Sequence, residues 1–237
     1  MQEPVKSIRK RNLNLWLSHE KTATRILLSV SLSLVILLLF VVFIFGQRTF
    51  DESAFKFIAP HITDGRTDIM NFISFLGKHS FLIPIIFTMI LVALFMKKFW
   101  MAIRITLVLI TSLLLMSLLK RLLHRPRPSD PLVEGITNFS FPSGHAFMAV
   151  AFYGLLVWMS AVYITKTTLQ RLLIALFICI ILSIAFSRVY LRVHYATDVI
   201  AGLSIGFIWL SFCLWVIDKR EFKTKEAAIN AGTQTVE

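Results

Sequence analysis

His194 and Asp198 stand four residues apart in the segment SRVYLRVHYATD, Ser187–Asp198, just ahead of an apolar run. At helical spacing the two side chains share a face. A carboxylate that accepts the Nδ1 proton of an imidazole fixes its tautomer and leaves Nε2 free to attack. Arg188, in the same segment, offers a planar, permanently charged fork suited to phosphate oxygens. A second block, KRLLHRPRPSD at Lys120–Asp130, holds Lys120 and Arg127, which can clamp an anion, with Pro126 and Pro128 stiffening the turn. It leads to PSGH, Pro142–His145, at the start of another apolar run. There Gly144 allows close backbone approach, free N–H groups and the Ser143 hydroxyl can donate, and the helix dipole favours negative charge. His145 stands beside this anion site as a proton donor. The other basic residues nearby, Arg121, His124, Arg125 and Arg192, read as headgroup or loop contacts.

These blocks need elements that bring them together, and the composition says what kind. Of 237 residues, 57% are hydrophobic and 16% charged, against roughly 25% charged in a soluble domain. Several apolar runs reach the roughly 20 residues that carry a helix across a bilayer. Six spans follow, roughly Ile26–Gly46, Phe81–Met96, Met101–Leu119, Ala146–Ile164, Leu172–Ser187 and Val199–Ile217. The fold class is therefore all-α, a six-helix membrane bundle. The first span lies behind a long basic segment without a small-residue cleavage site, so it reads as retained rather than as a signal peptide. The domain runs over residues 25–218, between polar cytoplasmic tails at 1–24 and 219–237.

With the N-terminus inside, the inner loops hold the larger share of Lys and Arg, as the positive-inside tendency requires. All three polar blocks then lie at outer span ends, facing the periplasm or exterior. The first outer loop carries Ile69, Phe72, Ile73 and Leu76 at helical spacing with Gly77 as a stop, which predicts a short interfacial helix. Arg104, near the inner end of the third span, is placed to snorkel to the interface. The net charge of +12 is spread in short blocks between apolar runs. That pattern speaks for orientation and anionic headgroups rather than nucleic acid. Cys179 and Cys213 fall inside apolar runs as small hydrophobes, offering neither a disulfide framework nor a metal site. No HExxH, paired-carboxylate metal box or Walker loop occurs, and no cofactor is expected.

K-x6-RP at Lys120–Pro128, PSGH at Pro142–His145 and SR-x5-H-x3-D at Ser187–Asp198 together resemble, in order, the three-part signature of the type 2 phosphatidic acid phosphatase superfamily, in particular its bacterial membrane branch. The resemblance implies that His194 is the nucleophile that forms a phosphohistidine and Asp198 its orienting partner. It implies that His145 protonates the leaving oxygen and then activates water. Lys120, Arg127, Arg188, Ser143 and the Gly144 amide become the phosphate cradle. Of the two RP pairs, the spacing from Lys120 selects Arg127 over Arg125. The implied activity is metal-free hydrolysis of a lipid phosphate in the outer leaflet: undecaprenyl diphosphate, phosphatidylglycerol phosphate, phosphatidate or a lipid A phosphate. A phosphotransferase using the same site is the alternative. An anion transporter is disfavoured, because the polar residues cluster at span ends rather than along mid-span faces. Oligomeric state is not encoded in these motifs.

Overall fold

In hydrocarbon every backbone N–H and C=O needs a partner within the protein, and a helix supplies it from its own residues. The computed structural model describes residues 26–44, 46, 48–133, 135 and 138–234, and among them contains helices and no strand. The order is α1 (Ile26–Ile44), α2 (Thr49–Ile58), α3 (Asp64–Phe75), α4 (His79–Phe95), α5 (Phe99–Leu123), α6 (Gly144–Tyr163), α7 (Thr167–Tyr190) and α8 (Ala196–Gln234). The last turn of α1, Phe40–Ile44, is wound as a π-helix. Six runs are long and apolar enough to cross a membrane: α1, α3–α4 as Asp64–Phe95, α5, α6, α7, and Ala196–Thr224 of α8. Each expected span coincides with one of them, three running one or two residues past its end, to Gly46, Met96 and Ile164.

Burial identifies the centre. α6 buries Phe147, Ala149, Ala151 and Leu155 completely and packs against α5, α7 and α8. The outer helices instead expose large apolar side chains, such as Phe87 and Phe95 on α4, Leu114 on α5 and Leu172 on α7. For a lipid-solvated bundle this is the favourable face. Cys213 is buried and Cys179 is exposed on α7.

A close contact between α6 and α8 positions the polar end. Gly202 and Gly206 of α8, one turn apart, let its backbone lie on the first turns of α6, the small-residue device of membrane helix pairs. A Cβ at Gly202 would stand 2.6 Å from the Ser143 carbonyl oxygen, and one at Gly206 3.0 Å from that of Phe147. The two N-termini are then tied by the Ser143 amide, which donates to the Asp198 carbonyl at 3.0 Å.

The helix expected from Ile69, Phe72, Ile73 and Leu76 is α3, and Gly77 does end it, donating to the Ser74 carbonyl at 3.0 Å. A Cβ at Gly77 would lie 2.8 Å from the Ile184 side chain and 3.4 Å from His145 Cδ2, so this turn is pressed onto α7 and the start of α6. The preceding helix, α2, has no counterpart in the sequence reading.

Two expectations change at the other end. The segment after residue 218, expected as a polar tail, continues α8 to Gln234. Arg104 consequently does not snorkel. It donates from Nη2 to Asp218 at 2.5 Å and Glu221 at 2.6 Å, with Trp158 4.9 Å from its guanidinium centre. Residues 1–24, the other expected tail, lie outside the described residues.

Candidate active site

Lys120 lies in the last turn of α5, which closes with His124 in a left-handed conformation at φ 40°. A cation here complements the negative end of the helix dipole. Its Nζ donates to the Phe139 carbonyl at 2.9 Å and to Asn138 Oδ1 at 3.3 Å. The chain then doubles back so that the Ser140 amide meets the Arg125 carbonyl at 2.8 Å. This loop holds Arg127 over the start of α6. Arg127 Nε donates to the Asn138 carbonyl at 2.6 Å, its Nη1 to the Val193 carbonyl, and its Nη2 to Asn138 Oδ1.

Ser143 is the N-cap of α6, but its buried hydroxyl does not cap the helix and has no hydrogen-bond partner. Gly144 and His145 open the first turn, whose N–H groups have no partner within the helix. A Cβ at Gly144 would meet only Lys120 Cε and Met116 at 3.7 Å, so packing does not demand glycine there. A side chain would instead narrow the cavity. Arg188, 5% exposed, ends α7 and donates from Nη1 to Ser74 Oγ of α3, while its Nε is buried without a partner.

His194 lies in the Leu191–Tyr195 connection rather than on α8, so it and Asp198 do not share a helical turn as their spacing suggests. Tyr195 precedes the first residue of α8, and Asp198 in the first turn reaches back to accept its amide at 2.9 Å, as in a capping box. The pairing survives by this different route. His194 Nδ1 stands 3.6 Å from Asp198 Oδ2 and 3.4 Å from Ser140 Oγ, and Ser140 Oγ itself donates to Asp198 Oδ2. On the other side, Arg127 Nη1 is 3.4 Å from His194 Nε2. Arginine can only donate, so Nε2 carries the lone pair and Nδ1 the proton. Burial pushes the His194 pKa down to about 3, against the opposing pull of Asp198, so the ring is neutral at pH 7.

A cavity of about 690 Å³ is lined by six of the eight expected site residues: Lys120, Arg127, Gly144, His145, Arg188 and His194. Ser143 and Asp198 sit behind it as the N-cap of α6 and the support of His194. Leu113, Met116 and Phe75 give one side of the cavity an apolar wall between α5 and α3. Of the two RP arginines, Arg127 lines the cavity and Arg125 does not. Arg125 is no headgroup contact either: it is 6% exposed and bonded to Asp198, Asp51 and Thr197.

Asp51, Ser74, Asn138, Ser140 and Thr197 join this network without being fixed positions of any of the three motifs. Ser140, three residues before the PSGH serine, is the one that local proximity to a motif could have flagged.

Known proteins resemble the chain in sequence and in fold. Residues 101–222 match the family model of the PAP2 superfamily. The chain is 34% identical over 143 residues to phosphatidylglycerophosphatase B of Bacillus subtilis, covering 60% of this chain and 70% of that protein. It is 32% identical over 113 residues to lipid phosphate phosphatase delta of Arabidopsis thaliana, covering 43% of this chain and 27% of that one. The crystal structure of a transmembrane PAP2-type phosphatidylglycerolphosphate phosphatase from Bacillus subtilis superposes with a TM-score of 0.72 at 27% identity, over 80% of this chain and 96% of that one. A multi-pass bundle whose polar blocks meet at one end thus has its place among known folds and sequences, and the chain belongs to the PAP2 superfamily as a membrane lipid phosphatase.

Proposed function

We propose that the protein hydrolyses a lipid phosphate monoester or diphosphate in the outer leaflet through a phosphohistidine on His194, without a metal. The observation that carries this reading is the placement of His194 Nε2, 3.4 Å from Arg127 Nη1 in a cavity that also holds Lys120, Arg188 and His145. Nε2 attacks phosphorus as the bond to the leaving oxygen breaks, and His145 gives that oxygen its proton. Water then attacks the phosphohistidine, His145 takes a proton from it, and inorganic phosphate leaves. Lys120, Arg127 and Arg188 neutralise the equatorial oxygens, the part that Mg²⁺ plays in other phosphoryl transfers, the Gly144 amide donates to them, and the unpartnered Ser143 hydroxyl stands behind as a further donor. Asp198 holds the ring and balances the charge it gains.

The apolar wall of Leu113, Met116 and Phe75 suits the first carbons of a lipid chain. Undecaprenyl diphosphate, phosphatidylglycerol phosphate, phosphatidate and lipid A phosphates share the required chemistry. The name of the Bacillus relative supports phosphatidylglycerol phosphate as the first to try.

Purified protein is assayed for phosphate release against these four lipids. Release persists in excess EDTA and is inhibited by vanadate, which adopts the trigonal-bipyramidal geometry of the transition state. Acid-labile, base-stable ³²P on the protein after rapid quenching reports the phosphohistidine. Activity lost in EDTA and restored by Mg²⁺ overturns the metal-free reading.

Sidedness has its own test in intact cells, with Cys179 and Cys213 first replaced by Ala. A cysteine at Ser129 reacts with an impermeant maleimide, and one at Lys223 stays unlabelled. The reverse pattern places the site on the cytoplasmic side.

A further inference from the structure

Behind Asp198, on the side away from the cavity, lies a buried charge chain that belongs to none of the three motifs. Asp51, in the first turn of α2, is 1% exposed. Its Oδ2 accepts from Arg125 Nη2 at 2.8 Å and from Thr197 Oγ1 at 2.8 Å, and its Oδ1 from the Thr197 amide at 2.9 Å. Arg125 Nη1 in turn donates to Thr197 Oγ1 at 2.8 Å and to Asp198 Oδ1. The Tyr195 ring covers the guanidinium, 4.1 Å from its centre. Both ends and one face of Arg125 are therefore fixed.

We propose that Asp51 and Arg125 are positioning residues for the nucleophile, acting through Asp198. Arg125 occupies Oδ1, which leaves Oδ2 to the Tyr195 amide, Ser140 and His194. The carboxylate cannot rotate without breaking that pair. The charges explain why a second carboxylate is present. Arg125 and Asp198 alone form a neutral pair, which would weaken the negative potential that Asp198 presents to the imidazole. Asp51 returns the trio to a net charge of minus one. When Nε2 bonds to phosphorus the ring becomes positive, and the buried group of four then sums to zero. In a site of low dielectric such balance in the reacting state, rather than in the resting one, lowers the barrier. α2 thus contributes to the site, although it carries no motif and its neighbouring Glu52 and Ser53 are exposed.

This rests on His194 being the nucleophile, so the experiment separates the two. Full-length wild type, Asp51→Asn, Arg125→Lys and Arg125→Met are compared in detergent micelles with phosphatidate, measuring kcat, KM, melting temperature and quenched ³²P-protein. Asp51→Asn keeps the size and much of the hydrogen bonding while removing the charge. Its kcat per folded molecule falls about 10–100-fold, by analogy with the loss of an outer-shell partner of a metal-ligating histidine, with KM near wild type and a melting temperature lowered by the loss of a buried ion pair. Arg125→Lys recovers part of the kcat that Arg125→Met loses. An Asp51→Asn protein with wild-type kcat, or one whose activity falls only as its folded fraction falls, overturns the proposal. So does Asp51→Asn unfolding outright, which assigns the chain to stability alone. Absence of ³²P-protein in the wild type defeats the nucleophile reading instead, whatever the variants do to kcat.

Discussion

Arg104 and Arg188 are equally buried, each 5% exposed, at opposite ends of the bundle. Arg104 meets Asp218, Glu221 and the Trp158 ring. Arg188 meets the neutral Ser74 hydroxyl, and its neighbours Lys120 and Arg127 likewise lean on the neutral oxygens of Asn138, Phe139 and Val193. No carboxylate among the described residues forms an ion pair with these three cations. Leaving three like charges together in a low-dielectric site is unfavourable, because each repels the others and each has lost water. An incoming phosphate relieves the repulsion. Arg104, which ties α5 to α8, arrives already paired, whereas the three cavity cations have no carboxylate partner until an anion enters.

The difference is broken most completely at the reacting nitrogen. His194→Ala leaves the cations in place but removes the atom proposed to bond phosphorus, and turnover of every lipid should fall to background. His145→Ala lowers turnover about 10²–10⁴-fold, the usual worth of general acid–base help. Its defect shrinks with p-nitrophenyl phosphate, whose leaving group needs no proton. If the activated substrate rescues His194→Ala and not His145→Ala, the two roles are exchanged.

The arginines give the direct comparison. Arg188→Met costs about 10²–10³-fold in kcat, as removal of one transition-state donor does, with little loss of melting temperature because a repulsion has gone. Arg104→Met does the opposite. It strands Asp218 and Glu221 and destabilises by about 1–3 kcal/mol, softened by the partial exposure of both acids, while kcat per folded molecule holds. Equal activity losses in the two variants would show that burial, not pairing, is what matters.

How far these roles could be read beforehand depended on distance along the chain. Lys120 with Arg127, the PSGH turn and His194 with Asp198 are local spacings, and a spacing survives even where its geometry differs, as the capping of Tyr195 by Asp198 does. The spans were readable because lipid demands length and apolarity. Asp51 bonds Thr197 from 146 positions away and Ser74 bonds Arg188 from 114 away, so no pattern in either neighbourhood announces the contact. α2 is too short, at 10 residues, for a periodicity to separate helix from other structure. The RP pair of Arg125 lacks the motif spacing from Lys120, and nothing in that spacing tells of its place behind Asp198. The acids that hold Arg104 lie past Ile217, the expected end of the last span, on turns by which α8 continues, so the apolar pattern gives no sign of them.

A smaller effect comes from keeping His194 neutral. A histidine whose folded pKa is lowered must stay unprotonated in the native state, while the unfolded chain takes up a proton below about 6.5. The penalty therefore starts as pH falls through 6.5 and grows until the folded pKa of about 3. Between pH 7 and 5 this one group costs about 2 kcal/mol. Melting temperature should fall over that interval, and fall less in His194→Gln. An unchanged slope in the variant would mean that other groups carry the acid sensitivity.

The finest test asks whether α6 must sit where it does, using two glycines that a sequence treats alike. At Gly202 a Cβ meets the Ser143 carbonyl at 2.6 Å, a backbone atom that cannot swing away, so the α6 and α8 N-termini must part. Gly202→Ala should destabilise by about 1–3 kcal/mol, the usual range for overpacking. It should also lower kcat, because the Ser143 amide and the Asp198 carbonyl are the link that is pushed apart. At Gly144 the nearest atoms are 3.7 Å away, so Gly144→Ala should fold like wild type. Its methyl enters the cavity where a phosphate is expected, and the defect should therefore appear with substrate and not with heat. Melting curves and kcat/KM for the two variants decide it. A Gly144→Ala protein with wild-type kcat/KM would take the phosphate away from the first turn of α6, whatever the cations around it do.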